Sequence, residues 1–271
     1  MRIRTLLYHD VVEDGQWSSS GFGGGDAAIY KFTRPAFEAH LQRLTAVGEK
    51  PDLALEPPAS GWMLTFDDGG SSALGAIAPA LEGRGWRGHF FMTTGWLGAP
   101  GFLDAAGVRE LAARGHIVGS HTAGHPLAMS SLSRQALSDE WTRSVATLAD
   151  VLGVAPVVAS IPGGAYSAAV AEAAGDAGIR VLFTSEPTAQ PWRVKDVMCF
   201  GRFTLWRGMS ADAALEFAQG RGLGRYRQRL AWDSKKVLKR ACGPVYREIR
   251  RRLLARADVS APPGTEIPPS R

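Results

Sequence analysis

Apolar residues fall along this chain in short runs, separated by longer stretches in which they recur every three or four positions. The short runs are 3–8, 62–66, 88–92, 116–120, 157–160, 179–183 and 198–205, each of strand length. Between them lie amphipathic segments with helix signals at their ends. In 33–47, Thr33 is placed to cap, Pro35 sits in the first turn, Phe37, Leu41 and Leu44 share one face, and Gly48 ends the helix. Segments 71–81, 104–114, 133–152, 168–177 and 211–219 read as further helices, with Asp104 and Ser133 as caps and Gly115 as a stop. Strand–helix alternation over this length predicts an α/β fold with a mostly parallel sheet. Periodicity alone leaves both an open doubly wound sheet and a closed barrel. The Gly/Ser-rich stretch 18–26 lacks the strand-then-helix context of a dinucleotide site and reads as a flexible loop, with a substrate lid as the alternative.

Three of the predicted strands run directly into residues that carry chemistry. Thr65-Phe66-Asp67-Asp68-Gly69 places two adjacent carboxylates at the end of a buried strand, which is costly unless a cation compensates them. One Asp can then ligate the ion while the other acts as a base; Asp-Gly is also ordinary turn chemistry. His121-Thr122-Ala123-Gly124-His125 has its histidines four apart, so one helical turn would aim both imidazoles at one ion, and two unrelated surface histidines are the alternative. Pro162-Gly163-Gly164-Ala165-Tyr166 lets backbone N–H groups approach a ligand and hold an oxyanion, or makes a plain turn. In α/β folds the C-terminal strand ends form the active face, and two His with one Asp make a hydrolytic metal site.

Taken in order, these segments resemble the polysaccharide deacetylase family, also called the NodB homology family. TFDDG and HTAGH are close to its first two motifs and PGGAY is similar to the third, over a stretch from about Leu6 to Leu205. The resemblance implies a distorted (β/α) barrel of about seven strands and hydrolysis of an N-acetyl, sometimes O-acetyl, group on a sugar. It implies Asp67 as general base, Asp68, His121 and His125 as ligands of zinc or another divalent ion, and the Gly163 N–H as an oxyanion donor. Two departures stand out. Ser160 occupies the place of the family's third-motif Arg, and no histidine follows His125 to serve as the late general acid. Of the other histidines, His40 reads as solvent-facing on its helix, and His89 and His116 lie near strand starts. His9 ends the first strand in Tyr8-His9-Asp10-Val11, similar to the YHxV segment of poly-N-acetylglucosamine deacetylases, whose N-terminal His is the acid. That resemblance implies His9 as general acid, with Asp10 as its orienting partner. Trp96, Tyr166, Trp192 and Trp206 are candidate sugar-stacking surfaces.

Charge divides the 271 residues unevenly. From Arg221 to Arg256 there are 13 Lys/Arg against Asp233 and Glu248, a net +11, so the rest of a chain whose total is +5 carries −6. The expected organisation is a barrel over 1–220, a basic amphipathic helical extension over 221–257, with Trp232, Val237 and Leu238 on one stripe and a second short helix after Gly243-Pro244, and a disordered tail over 258–271. A basic amphipathic helix of this kind suits an anionic membrane surface or packs on the barrel with its arginines solvated; nucleic acid is the less expected partner. Two cysteines, Cys199 and Cys242, in no CxxC pattern exclude a disulfide framework and a thiolate zinc site. The N-terminal apolar run is too short for a signal peptide, and no stretch reaches the roughly 20 residues of a membrane span. The expected location is cytoplasmic, with peripheral membrane contact through the tail. The expected substrate is an N-acetylated sugar or glycan. The same scaffold also suits a deformylase, an O-deacetylase, a cyclic-amide hydrolase or an inactive glycan-binding barrel.

Overall fold

The computed structural model describes residues 1–55 and 59–241, without the side chains of 235–241. Eight strands follow the expected alternation: β1 (Arg2–Tyr8), β2 (Ser60–Phe66), β3 (His89–Met92), β4 (Ile117–Ser120), β5 (Val158–Ser160), β6 (Val181–Phe183), β7 (Val197–Phe200) and β8 (Arg202–Thr204). They pair in parallel in the order β8-β1-β2-β3-β4-β5-β6-β7, and an unforeseen strand, Trp192–Val194, runs antiparallel to β7 at the edge. A second small pairing, Val11–Val12 with Phe32–Thr33, was also not expected from the pattern.

The run expected as one strand over 198–205 is broken. β7 pairs with β6 and β8 pairs with β1, with Gly201 alone between them. One bent segment therefore joins the two flanks of the sheet into a distorted barrel, and β7 with β8 makes its seventh position. The break falls at Gly201 because a Cβ there would sit 2.3 Å from the Glu186 carbonyl oxygen. That same oxygen accepts from the Arg202 N–H at 2.9 Å.

Alternation along the strands sorts side chains to two faces. Ile3, Met63, Phe91, Val158, Val181, Phe183 and Phe200 form one buried cluster, which fills the barrel. Leu6, Tyr8, Trp62, Leu64, Phe66 and Phe90 belong to the larger cluster outside it. Helices α1 (Arg34–Leu44), α2 (Ala78–Glu82), α3 (Ala105–Ala113), α4 (Arg134–Leu152), α5 (Ala168–Asp176) and α6 (Ala211–Gln219) cover that outer layer, and α7 (Gly224–Ala241) follows. The predicted stripe Phe37, Leu41 and Leu44 on α1 is fully buried against the strands, each side chain contributing about 1.5–3 kcal/mol by burial. Thr33, Asp104 and Ser133 cap their helices as expected, accepting from Ala36, Gly107 and Ala136 N–H groups.

One local expectation is corrected, that for His40, while segment 71–81 is helical as expected: a π-helical turn, Ala73–Ile77, continues into α2. Pro79 sits at that junction with no N–H to offer the Gly75 carbonyl, so the α-helical ladder is interrupted there. His40 is not solvent-facing: it is buried, with Nδ1 against the Tyr8 hydroxyl at 3.1 Å and Nε2 against the Met209 carbonyl at 3.0 Å. Its helix position lies on the α1 face that packs on β1, one turn from Phe37 and next to Leu41. The second predicted tail helix and the tail over 258–271 lie outside the described residues.

Candidate metal and catalytic centre

The C-terminal ends of β1, β2, β4 and β5 converge, and each delivers the residue that follows its last interior position. Along β2, Met63 and Thr65 face the barrel interior, so Asp67 continues that face and is buried. Asp68 would point away were its backbone extended. Instead it adopts the left-handed region, φ 78°, which turns its carboxylate back toward the strand ends. Such a conformation costs an Asp of order 1 kcal/mol and is worth noting where it re-aims a functional group.

The two histidines come together in a different way from the one the spacing implied. Residues 121–126 form no helical turn. The segment is a loop in which Thr122 (φ 64°) and His125 (φ 60°) are left-handed, and the His125 N–H donates to Thr122 Oγ1 at 3.1 Å. The loop is pinned from both sides: Thr94 and Gly95 N–H groups donate to the Thr122 and Ala123 carbonyls, and the Gly124 N–H donates to Glu140 of α4. This folded loop brings His125 Nε2 to 3.3 Å and His121 Nε2 to 3.5 Å from the same oxygen, Oδ1 of Asp68.

Asp68, His121 and His125 thus offer one carboxylate oxygen and two imidazole nitrogens, all within 4.8 Å of one another. Two ligands held at zinc–nitrogen and zinc–oxygen distances around a tetrahedral ion lie about 3.3 Å apart. The two Asp68–His separations match that spacing. The outer contacts fit as well: His121 Nδ1 is engaged by Ser160, at 2.6 Å from Oγ and 3.1 Å from the carbonyl oxygen, which leaves Nε2 to the cluster. Burial alone would raise the Asp68 carboxyl, but the contacts with His121 and His125 and the charge of His9 hold it well below the usual carboxylate range. The donor set therefore fits a divalent ion.

Asp67 stands beside this cluster and is clamped from inside the barrel. Arg202, itself fully buried, donates Nη1 to Oδ1 at 2.7 Å and Nη2 to Oδ2 at 2.8 Å, while its Nε donates to the Thr184 carbonyl at 2.9 Å. Ser160 Oγ donates to Asp67 Oδ1 at 3.1 Å. Burial pushes the Asp67 carboxyl up, and Arg202, His121 and His9 more than reverse it, so the group stays ionised below its ordinary value. The arginine absent from the third motif is replaced, then, by one from the far end of the barrel. Ser160 shares the interior face of β5 with Val158 and bridges Asp67 to His121. Sequence reasoning missed Arg202 because only the bend at Gly201 puts it across from Asp67; its one signal was an arginine at an interior position of an otherwise apolar strand.

His9 follows β1, whose Tyr8 pairs with Phe66 one residue before Asp67. Its ring stacks on Tyr30 at 4.9 Å, and its buried Nδ1 has no hydrogen-bond partner among the described residues. Burial lowers its pKa, with the charges of Asp68 and Asp67 pulling the other way. Asp10 is not its orienting partner. Its Oδ1 accepts from Ser20 Oγ at 2.6 Å and Ser72 Oγ at 2.7 Å, so the carboxylate ties loop 18–26 to the segment after Asp68. That loop is not free. Lys31, buried beneath it, donates to the carbonyls of Trp17, Ser20 and Phe22, and the Phe22 ring lies 4.5 Å from the His125 ring and 5.1 Å from that of Trp96.

Gly163 is exposed in a turn after β5, with φ 60°, and a Cβ there would sit 2.5 Å from the Leu127 carbonyl oxygen. Of the four aromatic candidates, Trp96 and Trp206 are each 41% exposed. Trp192 donates from Nε1 to the Tyr166 hydroxyl at 2.8 Å, and both rings pack on the outer core.

Comparison with known proteins bears on the fold and the family. Residues 54–182 match the profile of the family described as polysaccharide deacetylase, a stretch that holds Asp67, Asp68, His121, His125 and Gly163. YxkH of Bacillus subtilis (strain 168), a polysaccharide deacetylase homologue, is 27% identical over 222 residues, 78% of this chain and 74% of its own length. Over residues 54–182 the chain is similar to the polysaccharide deacetylase family. Members are hydrolases acting on N-acetyl amide bonds. Among solved structures, the Streptococcus pyogenes deacetylase PplD superposes with a TM-score of 0.65 at 17% identity, covering 80% of this chain and 98% of that one. IcaB from Ammonifex degensii superposes with a TM-score of 0.64 at 21% identity, covering 80% and 96%. At those identities the superpositions speak for the shared polysaccharide deacetylase fold. His9 and Arg202 lie outside the profile match and stand on their geometry in this chain.

Proposed function

We propose that this chain is a metal-dependent hydrolase that removes an N-acetyl group from a sugar or glycan. The observation that carries the reading is the convergence of Asp68 and two imidazoles beside an Asp67 that Arg202 keeps ionised. A divalent ion, zinc first, would polarise the acyl carbonyl and acidify a water when held by Asp68, His121 and His125. The chain's own groups then divide the proton work. Asp67 accepts the proton of the attacking water, and its bidentate arginine fixes the direction of the carboxylate. His9 gives a proton to the leaving nitrogen as the C–N bond breaks, so the products are acetate and a free amine. Gly163, whose left-handed backbone no side chain could adopt cheaply at that contact, offers its N–H to the oxyanion. Exposed Trp96 and Trp206 are the surfaces on which a pyranose face would stack. A cytoplasmic site of action is part of the same proposal. Among the described residues no helix is long and apolar enough to cross a membrane.

The test is metal content and acyl release on one preparation, with N-acetylglucosamine oligomers offered to wild type, His121→Ala and His9→Ala. Wild type is expected to hold about one ion per chain and to release acetate rather than formate. His121→Ala loses the ion. His9→Ala keeps it and loses roughly a hundredfold or more in turnover. A wild-type protein that takes up no divalent ion under any loading condition would overturn the proposal.

A further inference from the structure

We propose that α7 binds an anionic lipid surface and, in doing so, holds the mouth of the barrel against that surface. The helix has two faces of different character. One is anchored to the strand-end face that carries the candidate site: Gln228 Nε2 donates to the Thr204 carbonyl at the end of β8, and Trp232 Nε1 donates to Glu186 after β6. The Trp232 ring also lies over Gly164, where a Cβ would come within 2.6 Å of it, one residue from Gly163. Trp232 is thus the residue that pins the helix to the barrel.

Among the described residues the opposite face is an exposed apolar stripe, with the Arg225 guanidinium over the Tyr226 ring and an Arg229–Asp233 ion pair at its edge. Leu223, Tyr226 and Leu230 recur at helical spacing and are 66%, 57% and 70% exposed. Three large apolar side chains in line are costly in water and need an occupant. Charge identifies it. Arg227 and Arg229, both exposed, fall on either side of the stripe at 100° per residue, and the segment from Arg221 to Arg256 carries +11 against −6 for the rest of the chain. An apolar stripe between basic flanks matches an anionic bilayer surface, where the apolar side chains enter the acyl boundary and the guanidinium groups meet lipid phosphates. A second copy of this chain would bring the same positive charges together and is disfavoured. Because the anchoring contacts are at Gly164, Glu186 and Thr204, a helix lying on the bilayer sets the strand-end face beside it. Resting on the proposed deacetylase activity, this makes a membrane-borne N-acetylated glycolipid the substrate class that the site meets first.

The experiment is co-sedimentation of the full-length protein with vesicles of phosphatidylcholine alone and with added phosphatidylglycerol, across a salt series. Binding is expected only to the anionic vesicles and to weaken with salt. The double variant Leu223→Asp, Leu230→Asp should lose roughly tenfold or more in partitioning. Arg227→Glu and Arg229→Glu should each cost about fivefold or more. All variants should keep the wild-type circular dichroism spectrum and melting temperature. No anionic-vesicle binding, binding that ignores the leucine pair, or a concentration-dependent dimer abolished by that pair would each overturn the proposal. Activity supplies a separate readout: the leucine variant should keep hydrolysis of a soluble N-acetyl oligosaccharide and lose hydrolysis of a vesicle-borne one. If wild type hydrolyses neither, the deacetylase reading fails, and vesicle binding still decides the membrane proposal.

Discussion

Arg202 is the residue on which most depends. Its guanidinium satisfies both oxygens of a buried carboxylate, so removing it leaves Asp67 as an uncompensated buried charge. Arg202→Met is expected to cost about 3–5 kcal/mol of stability, measured by urea unfolding. Arg202→Lys keeps the charge without the fork, and should lower turnover by roughly tenfold or more with little change in KM, because the base is misdirected rather than the substrate released. The cluster of Asp68, His121 and His125 was legible in the sequence because each member sits within a few residues of a strand end. Arg202 was not, because its partner lies 135 positions away and only three-dimensional closure pairs them. Asp10 was misassigned for the opposite reason: it adjoins His9 in the chain, and its carboxylate instead meets Ser20 and Ser72. His89 makes a separate prediction. Its Nε2 accepts from the Ala54 N–H and its Nδ1–H donates to the Leu64 carbonyl, so the barrel holds it neutral. Burial pushes it down from 6.5 to about 4, with the Leu64 carbonyl opposing. A group depressed in the folded state adds stability that is complete above its unfolded value and disappears as pH falls through the folded one. Stability should therefore drop by about 3 kcal/mol between neutral pH and about pH 4, and His89→Gln should flatten that slope in pH-dependent urea melts.

At the scale of elements, helix boundaries were readable to within a residue or two because caps and glycine stops are local chemistry. Ser133 and Gly153 bracket α4, and Ser210 and Gly220 bracket α6, without reference to the rest of the fold. What escaped was geometry imposed from outside an element. The loop from His121 to His125 looks like a helical turn by spacing, yet contacts from Thr94, Gly95 and Glu140 fold it otherwise. The stretch 18–26 looks mobile by composition, yet Lys31 and Asp10 tie it down. The bend between β7 and β8 belongs here too. Gly201→Ala would push a methyl into the Glu186 carbonyl and the Thr188 side chain. The variant is expected to lose about 1–3 kcal/mol, read as a lower melting temperature, and to lose activity along with it because Arg202 moves with the bend.

For the molecule as a whole, closure means that β1 is held on both sides, by β2 over its full length and by β8 over Thr5 to Leu7. The barrel strands are expected to open as one cooperative unit. Hydrogen exchange should give β1 and β6 amides the same opening free energy, while α7, joined to the barrel by a few side-chain contacts, exchanges at a lower one.

Closure also sets an order in time. During synthesis the ribosome delivers β1 and β2 early, but the strand that seals the ring emerges only with Thr204. At about 5–20 residues per second, β1 waits roughly ten to forty seconds for its second neighbour. Throughout that interval Asp67 has no Arg202, and its carboxylate has every reason to stay in water. The arginine that clamps Asp67 thus arrives on the same short strand that gives β1 its second neighbour.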